Sequence, residues 1–274
     1  MAIKKLGYSL RTNSESSIAN DEWKFLNLRH VSMQLLAHSP LTRGISLSQA
    51  ETIISRSTSQ LGQDVLALSV SGLRDKGFFV EFGATDGIKL SNTFLLEKDF
   101  GWIGILCEPA KVWHSDLTSN RSSSIDTRCV SSDSNSVVDF AEAPEAELST
   151  MFEFRDQDSH INSRKESSVY QVKTVSLRDL LITHNAPTKI DFLSIDTEGS
   201  EYLILKDFDF TEYKFGLICV EHNHTSNQER IYKLLTANGY KRIHTELSQW
   251  DDWYVDLENL DFEASPRVTD GVYA

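Results

Sequence analysis

The stretch Phe78-Phe-Val-Glu-Phe-Gly-Ala-Thr-Asp-Gly87 is the most informative part of this sequence for its fold. Its apolar first half is typical of a short buried strand, and its second half is a loop that begins and ends with glycine. Gly83 permits a sharp turn and lets a ligand approach the backbone, because glycine has no Cβ to obstruct it. Residues 91–99 then read as a helix. The stretch therefore predicts the strand, loop and helix that open an α/β sheet.

Two carboxylates flank this loop, those of Glu81 and Asp86. The spacing Glu-x-Gly-x-x-x-Gly differs from the Gly-x-Gly-x-x-Gly of dinucleotide-binding proteins, whose glycines admit a pyrophosphate to a helix N-terminus. Carboxylates at these positions would repel a phosphate and suit an ammonium and a sulfonium group instead. The structural alternative is a strand-to-helix turn in which Asp86 only caps the next helix.

Apolar runs alternate with amphipathic segments along the rest of the chain. Strands are predicted at 103–108, 125–130, 190–196, 215–221, 240–245 and 251–255, with helices around 113–117, 201–206 and 227–237. Such alternation predicts a parallel, doubly wound sheet. A short turn joins the last two strands, which places one antiparallel strand in the sheet.

Two regions depart from this alternation. Residues 133–176 form an insertion too long for a plain connection in a compact domain, and we interpret it as either functional or disordered. Upstream, apolar residues recur at helical spacing, and Ser48-Gln-Ala-Glu51 resembles a capping box. The predicted organisation is a flexible arm, an N-terminal helical subdomain or cap, an α/β domain and a C-terminal tail, at 1–20, 21–75, 76–256 and 257–274.

The composition is that of a globular protein of 274 residues with a net charge of −13. This charge argues against nucleic acid or an anionic membrane as the main partner, because phosphate contacts need clustered Lys and Arg. The N-terminus does not predict a signal peptide, and no apolar run approaches the ~20 residues of a membrane span. Cys107, Cys129 and Cys219 lie in apolar runs, which favours buried thiols over a zinc site. We therefore expect a cytoplasmic protein.

Glu108-Pro109 follows the second predicted strand. A carboxylate at this point can accept both hydroxyls of a ribose, as in many nucleoside-binding α/β sheets. The feature fits NAD as well as other nucleoside ligands, and the alternative is a helix start that attracts an acid. The glycine loop before it favours the ligand interpretation.

Asp191-Phe-Leu-Ser-Ile-Asp-Thr-Glu-Gly-Ser-Glu201 carries several acids where a buried strand passes into a loop. In open α/β sheets, ligands bind at the carboxyl ends of the strands, which indicates a functional role for Asp196 and Glu198. Glu201 is better assigned to the start of the following helix.

Val220-Glu-His-Asn-His224 ends the next predicted strand, so Glu221 and His222 should lie beside Asp196. Two interpretations stay open. His222 removes a proton from an acceptor hydroxyl, since the pKa of histidine lies near neutrality. Alternatively, Asp196, Glu221 and His222 bind a divalent metal that orients and acidifies the acceptor. We assign His224 to solvent.

Together these motifs resemble the FkbM family of methyltransferases. The matching segments are Ser59-Gln-Leu-Gly-Gln-Asp64, Phe79-Val-Glu-Phe-Gly-Ala-Thr-Asp-Gly87, Leu106-Cys-Glu-Pro109, Thr174-Val-Ser-Leu-Arg-Asp-Leu180, Asp191-Phe-Leu-Ser-Ile-Asp-Thr-Glu-Gly-Ser-Glu201 and Val220-Glu-His222. The resemblance implies a class I methyltransferase (Rossmann-like) fold with a seven-stranded sheet and S-adenosyl-L-methionine as methyl donor. The chain departs from the family pattern at Thr85, where Asn is usual, and at Ser194, where Lys is common.

The resemblance implies that Glu81, Gly83, Asp86 and Glu108 bind the cofactor. We add their neighbours, and the full predicted cofactor site is Glu81, Gly83, Ala84, Asp86, Gly87, Glu108, Pro109, Val130, Ser131 and Asp196. The predicted catalytic residues are Asp196, Glu221 and His222, with the insertion 133–176 as a lid that carries Ser149-Thr-Met151 and Asp158-Ser-His160.

Many relatives methylate hydroxyls of saccharides or natural products, so a small-molecule or glycan acceptor is expected. N-methylation, an NAD-dependent oxidoreductase and a non-catalytic nucleoside-binding protein are the alternatives. The N-terminal helices serve a cap or a homo-oligomer interface equally well.

Overall fold

The computed structural model describes residues 28–37, 42, 44–158, 160–256 and 258. Helices and strands alternate along this part of the chain. Within this part the α-helices are 28–37 (α1), Leu47–Arg56 (α2), Gln63–Val70 (α3), Phe94–Phe100 (α4), His114–Asn120 (α5), Leu177–Thr183 (α6), Glu201–Leu205 (α7) and Asn227–Ala237 (α8). Short 3₁₀ turns lie at Lys111–Trp113, Ala146–Leu148 and Phe152–Phe154. The predicted arm and almost all of the predicted tail lie outside the described residues.

The strands divide between two sheets. They are Phe78–Phe82 (β1), Ile103–Cys107 (β2), Ser124–Asp126 (β3), Cys129–Ser131 (β4), Val137–Glu142 (β5), Thr150–Met151 (β6), Ser168–Ser176 (β7), Lys189–Ile195 (β8), Lys214–Glu221 (β9), Tyr240–Ile243 (β10) and Asp251–Asp256 (β11). The main sheet has seven strands in the order β10-β11-β9-β8-β1-β2-β3. Only β11 runs antiparallel to its neighbours. This confirms the expected seven-stranded, mostly parallel sheet with one antiparallel strand.

The register aligns the carboxyl ends of four neighbouring strands. Phe82 of β1 pairs with Cys107 of β2 and Ile195 of β8, and Ile195 pairs with Val220 of β9. The residues that come next on the four strands therefore lie side by side at one edge of the sheet: Gly83, Glu108, Asp196 and Glu221. This is the edge at which open α/β sheets bind ligands.

Buried side chains cover both faces of the main sheet because successive strand residues point to opposite sides. Phe79 belongs to the core that also contains Leu35, Leu66 and other residues of the N-terminal helices. Its neighbour Val80 belongs to the core of the other face, which includes Leu180 of α6 and Leu235 of α8. The N-terminal helices thus share their core with the sheet.

Helix α2 begins at a capping box, but not at the predicted one. The N-cap is Ser46, whose hydroxyl accepts a hydrogen bond from the Gln49 N–H, while the Gln49 side chain accepts one from the Ser46 N–H. Ser46 has the extended backbone that an N-cap requires. The predicted pair, Ser48 and Glu51, already lies inside the helix.

The insertion is ordered, and together with β4, which directly precedes it, it forms a second sheet with strand order β4-β7-β5-β6. A small core of its own contains Ala110, Cys129, Phe140 and Met151. The predicted single strand at 125–130 is divided, which corrects the sequence interpretation. Asp126 accepts hydrogen bonds from the Arg128 N–H and guanidinium, which turns the chain between β3 and β4. As a result β3 stays beside β2 while β4 pairs with β7.

The three cysteines are buried and form no disulfide, as expected. In the described part of the chain, no helix combines the length and the apolar character needed to cross a membrane.

Candidate active site

A cavity of about 410 Å³ opens at the carboxyl edge of the main sheet, between that edge and the insertion. Seven predicted site residues line it: Glu81, Gly83, Glu108, Pro109, Val130, Asp196 and Glu221. Five predicted residues do not: Ala84, Asp86, Gly87, Ser131 and His222. The cavity also contacts residues that the sequence interpretation had not selected: Gln60, Phe82, Thr85, Leu90, Asn92, Cys107, Arg128, Cys129, Thr197, Ser200, Asn223 and Trp250.

The glycine loop depends on Gly83 at its tightest point. The backbone of Gly83 has φ +78°, and an added Cβ would lie 2.1 Å from the backbone oxygen of Asp196. The N–H groups of Gly83 and Ala84 both donate to the Cys107 carbonyl, at 3.1 and 3.3 Å. Gly83 therefore allows the loop to lie directly against the end of β8.

Asp86 stabilises the loop itself. Its Oδ1 accepts hydrogen bonds from the N–H groups of Ile88 and Lys89, at 2.8 and 2.7 Å. The Asp86 carboxylate thus acts within its own turn, which is the structural alternative considered for this residue. A role of Asp86 in ligand binding stays a prediction.

Glu81 lines the cavity and also organises the segment after the loop. Its carboxylate accepts hydrogen bonds from the Ser91 hydroxyl, the Asn92 N–H and the Thr93 hydroxyl. The buried guanidinium of Arg121 lies 3.7 Å away and offsets part of the charge. Burial nevertheless raises the pKa of Glu81 above its ordinary value.

Glu108 is fixed by two backbone amides. The Thr85 N–H donates to one carboxyl oxygen and the Ala110 N–H to the other, each at 2.8 Å. Each carboxylate oxygen keeps a further lone pair that can accept another hydrogen bond. Burial raises the pKa of Glu108 to about 7. The group therefore faces the cavity as an oriented acceptor that titrates near neutral pH.

Three carboxylates meet where β8 and β9 end: those of Asp196, Glu198 and Glu221, hereafter the carboxylate triad. One oxygen of each lies within 4.8 Å of the others. Burial raises the pKa of all three groups, and repulsion from neighbouring carboxylates adds to this effect. The structure thus brings Asp196 and Glu221 together as the strand pattern predicts, and it adds Glu198.

His222 lies outside this triad. Its Nε2 lies 3.1 Å from the Gln228 amide nitrogen, and its Nδ1 accepts a hydrogen bond from the His224 N–H. Its ring also lies 3.8 Å from Asp252. Burial lowers the pKa of His222. His222 faces a small pocket of about 10 Å³ beside the main cavity. His224 is exposed, as the sequence predicts, and it also contributes to the lining of the main cavity.

The insertion forms the opposite wall of the cavity, through Phe140, Ala146, Glu147, Leu148, Ser149, Met151 and His160. Two ion pairs tie it to the sheet edge. Lys89, two residues after the glycine loop, bonds Glu147 at 2.6 Å. Arg164, whose side chain is 1% exposed, donates to Glu198 at 2.7 Å and to Asp158 at 2.8 Å. These contacts hold the insertion over the carboxylate triad.

The main sheet, with β11 as its antiparallel strand, and the glycine loop after β1 define a class I methyltransferase fold. The sequence model of the methyltransferase FkbM domain matches residues 81–252, from the glycine loop to the last strand. The chain therefore belongs to the FkbM methyltransferase family.

A solved structure of precorrin-6y C5,15-methyltransferase from Geobacter metallireducens GS-15 is similar over 73% of this chain and 88% of its own. The sequence identity is 13% and the TM-score is 0.38. No curated protein matches the chain.

Proposed function

We propose that this methyltransferase transfers a methyl group from S-adenosyl-L-methionine to a hydroxyl oxygen of a saccharide or natural product. The observation that carries the proposal is a single cavity that joins the glycine loop, Glu108 and the carboxylate triad. A donor held at the loop and an acceptor held at the triad would be neighbours. Holding two reactants in line supplies much of the rate enhancement of a bimolecular reaction.

The residues present fit this cofactor. The missing Cβ of Gly83 keeps the loop against β8 and leaves backbone open to a ligand. Glu108 has spare acceptor capacity for ribose hydroxyls and is already oriented by its two amides. When bound, S-adenosyl-L-methionine supplies a methyl group on a positively charged sulfur, and the acidic cavity suits that charge. The same carboxylates would repel a phosphate group, and this repulsion disfavours the pyrophosphate of NAD as a ligand.

Asp196 and Glu221 are our proposed acceptor-binding groups. Burial raises the pKa of Asp196 to about 7, so its carboxyl can hold or take a hydroxyl proton near neutral pH, and burial also raises the pKa of Glu221 beside it. His222, which faces the adjoining pocket, would act through the position of Glu221 and the following turn. The insertion would serve as the lid that excludes water from the transfer.

The test is a transfer assay with methyl-labelled S-adenosyl-L-methionine and a panel of saccharides that carry either free hydroxyls or amines. We expect the label on a hydroxyl oxygen, together with an equal amount of S-adenosylhomocysteine. Label that appears only on nitrogen would contradict the O-methyl proposal and support an N-methyltransferase of the same fold.

The raised pKa of the Glu108 carboxyl leads us to expect that cofactor affinity depends on pH. Its pKa is raised from 4.5 to about 7, so the carboxyl is mostly protonated at pH 6 and mostly ionised at pH 8. Ribose hydroxyls bind the ionised form, so affinity for S-adenosylhomocysteine should fall about tenfold from pH 8 to pH 6, in line with the ionised fraction. Calorimetric titration at the two pH values measures this ratio.

The control is Glu108→Gln, which cannot titrate. It should bind S-adenosylhomocysteine more weakly at both pH values, with a ratio of the two affinities close to one. An unchanged tenfold ratio would show that another group is responsible.

The stability of the folded, ligand-free protein depends on pH in the opposite direction. Between about pH 4.5 and 7 the folded chain keeps a proton on Glu108 that the unfolded chain releases. The contribution of Glu108 to the stability of the ligand-free protein is therefore lost as pH rises through 7.

A further inference from the structure

The charge of the carboxylate triad is poorly balanced by the protein. Among the described residues, Arg164 is the cation that bonds a triad member, and its guanidinium is shared between Glu198 and Asp158. Glu201 and Asp251 add further negative potential at Glu221. With all three carboxylates ionised, as in a cation-bound state, one shared guanidinium would leave about two negative charges unbalanced, which is the charge that one divalent cation supplies.

A second observation concerns Glu221 alone. This residue is 8% exposed, and its Oε2 is buried and receives no hydrogen bond from a donor in the part of the chain that the structure describes. A buried carboxylate oxygen without a partner is costly, and proteins satisfy such atoms by hydrogen bonds, by ion pairs or by a metal. Glu221 is also a member of the triad, so its unpartnered carboxylate lies within reach of Asp196 and Glu198.

The spacing of the triad suits one ion. Oxygens bound to a common cation at ~2.4 Å lie at most about 4.8 Å apart, and shorter bonds need only a small contraction. The triad oxygens lie within 4.8 Å of one another. A donor set made only of carboxylate oxygens favours hard cations such as Mg²⁺, Ca²⁺ or Mn²⁺ over zinc or copper.

We infer that Asp196, Glu198 and Glu221 form a binding site for one hard divalent cation. The site replaces His222 of the sequence-based hypothesis with Glu198, whose backbone turns back toward the strand end at φ +58°. The inference that these residues bind a cation does not depend on the proposed function. Its role does rest on that function: an ion here, in the cavity wall beside the glycine loop, would give an acceptor hydroxyl a fixed position.

The test uses Mn²⁺ and the full-length chain, stripped of metal with a chelator. Free Mn²⁺ is followed by electron paramagnetic resonance during titration. We expect one site in the wild type and at least about a 100-fold weaker affinity in Glu221→Gln, since even outer-shell changes cost 10–100-fold. Glu147→Gln is the matched control, because Glu147 lines the same cavity but is paired with Lys89. This variant should bind Mn²⁺ as the wild type does.

Thermal unfolding guards against a variant that simply fails to fold. Without metal, Glu221→Gln should melt at a higher Tm than the wild type, because it removes an unpaired buried acid. Added Mn²⁺ should then raise the Tm of the wild type and of Glu147→Gln but not that of Glu221→Gln. No Mn²⁺ binding by the wild type, or an equal response in Glu221→Gln, would overturn the inference.

A parallel titration with S-adenosylhomocysteine separates this inference from the proposed function. Triad-dependent Mn²⁺ binding without S-adenosylhomocysteine binding would refute the proposed function and leave the cation site standing. S-adenosylhomocysteine binding without triad-dependent Mn²⁺ binding would refute the cation site and leave the proposed function standing.

Discussion

Asp196→Asn should lower kcat for methyl transfer by about 10²–10⁴-fold, the usual range for loss of a positioned acid or base. Asp196 follows β8 at the point where the glycine loop contacts that strand, and its carboxylate is part of the triad. Asparagine keeps the shape of the side chain but cannot take up a hydroxyl proton. The affinity for S-adenosylhomocysteine should fall far less than kcat, because Glu108 and the loop are unchanged.

The control for this change is Asp191→Asn, at the other end of the same strand. Asp191 accepts a hydrogen bond from the Phe78 N–H and pairs with Arg74, remote from the cavity lining. Steady-state rates and calorimetric affinities for both variants check the expectation. An Asp196→Asn enzyme with wild-type kcat, or with a loss equal to that of Asp191→Asn, would remove Asp196 from the proposed reaction.

Gly83→Ala should abolish measurable binding of S-adenosylhomocysteine and cost about 3 kcal/mol or more of folding free energy. The new Cβ would overlap the backbone oxygen of Asp196, and backbone cannot rotate away as a side chain can. Alanine also disfavours the positive φ of this position by about 1–2 kcal/mol. The loop must therefore leave the end of β8, which displaces the site together with the fold.

Gly101→Ala separates these two causes. Gly101 also has a positive φ, +63°, but an added Cβ there meets no atom of the described residues within 4 Å. This variant should lose about 1–2 kcal/mol of folding free energy, because alanine disfavours the positive φ, and it should bind S-adenosylhomocysteine normally. Urea unfolding and calorimetry measure both quantities. Equal losses in the two variants would show that the contact with Asp196 is not what requires glycine at position 83.

The sequence predicts the sheet edge well because its signals are local. Short apolar strands ending in Gly83, Glu108, Asp196 and Glu221 each carry their own turn or acid, and parallel strands align their carboxyl ends. The late antiparallel strand follows from the stop signal after α8 and the short connection to β11. These features need no knowledge of distant contacts.

The opposite wall of the site could not be predicted in this way. Glu198 meets Arg164 across 34 residues of chain, and the contact exists only once the insertion folds as a sheet. The strand–helix alternation that guided the other assignments is absent there. The Asp126–Arg128 contact, which divides one predicted strand, likewise depends on a side chain and has no periodic signal.

The orientation of the His222 ring is set by the turn that follows this residue. Asn223 and His224 both adopt positive φ, at +44° and +54°, which non-glycine residues rarely do. Strand alternation identifies His222 as an edge residue but does not reveal this turn. The turn and the neighbouring Gln228 direct its ring to the adjoining pocket.

The central claim is that the cavity beside Gly83 binds the adenosyl amino acid of S-adenosyl-L-methionine and its product rather than a dinucleotide. Calorimetric titration of the full-length chain with S-adenosylhomocysteine and, separately, with NAD tests it most directly. We expect S-adenosylhomocysteine to bind at one site per chain, to lose affinity in Glu108→Gln, and to be unaffected by a large excess of NAD. Binding of NAD in its place, or no binding of S-adenosylhomocysteine at all, would contradict the account.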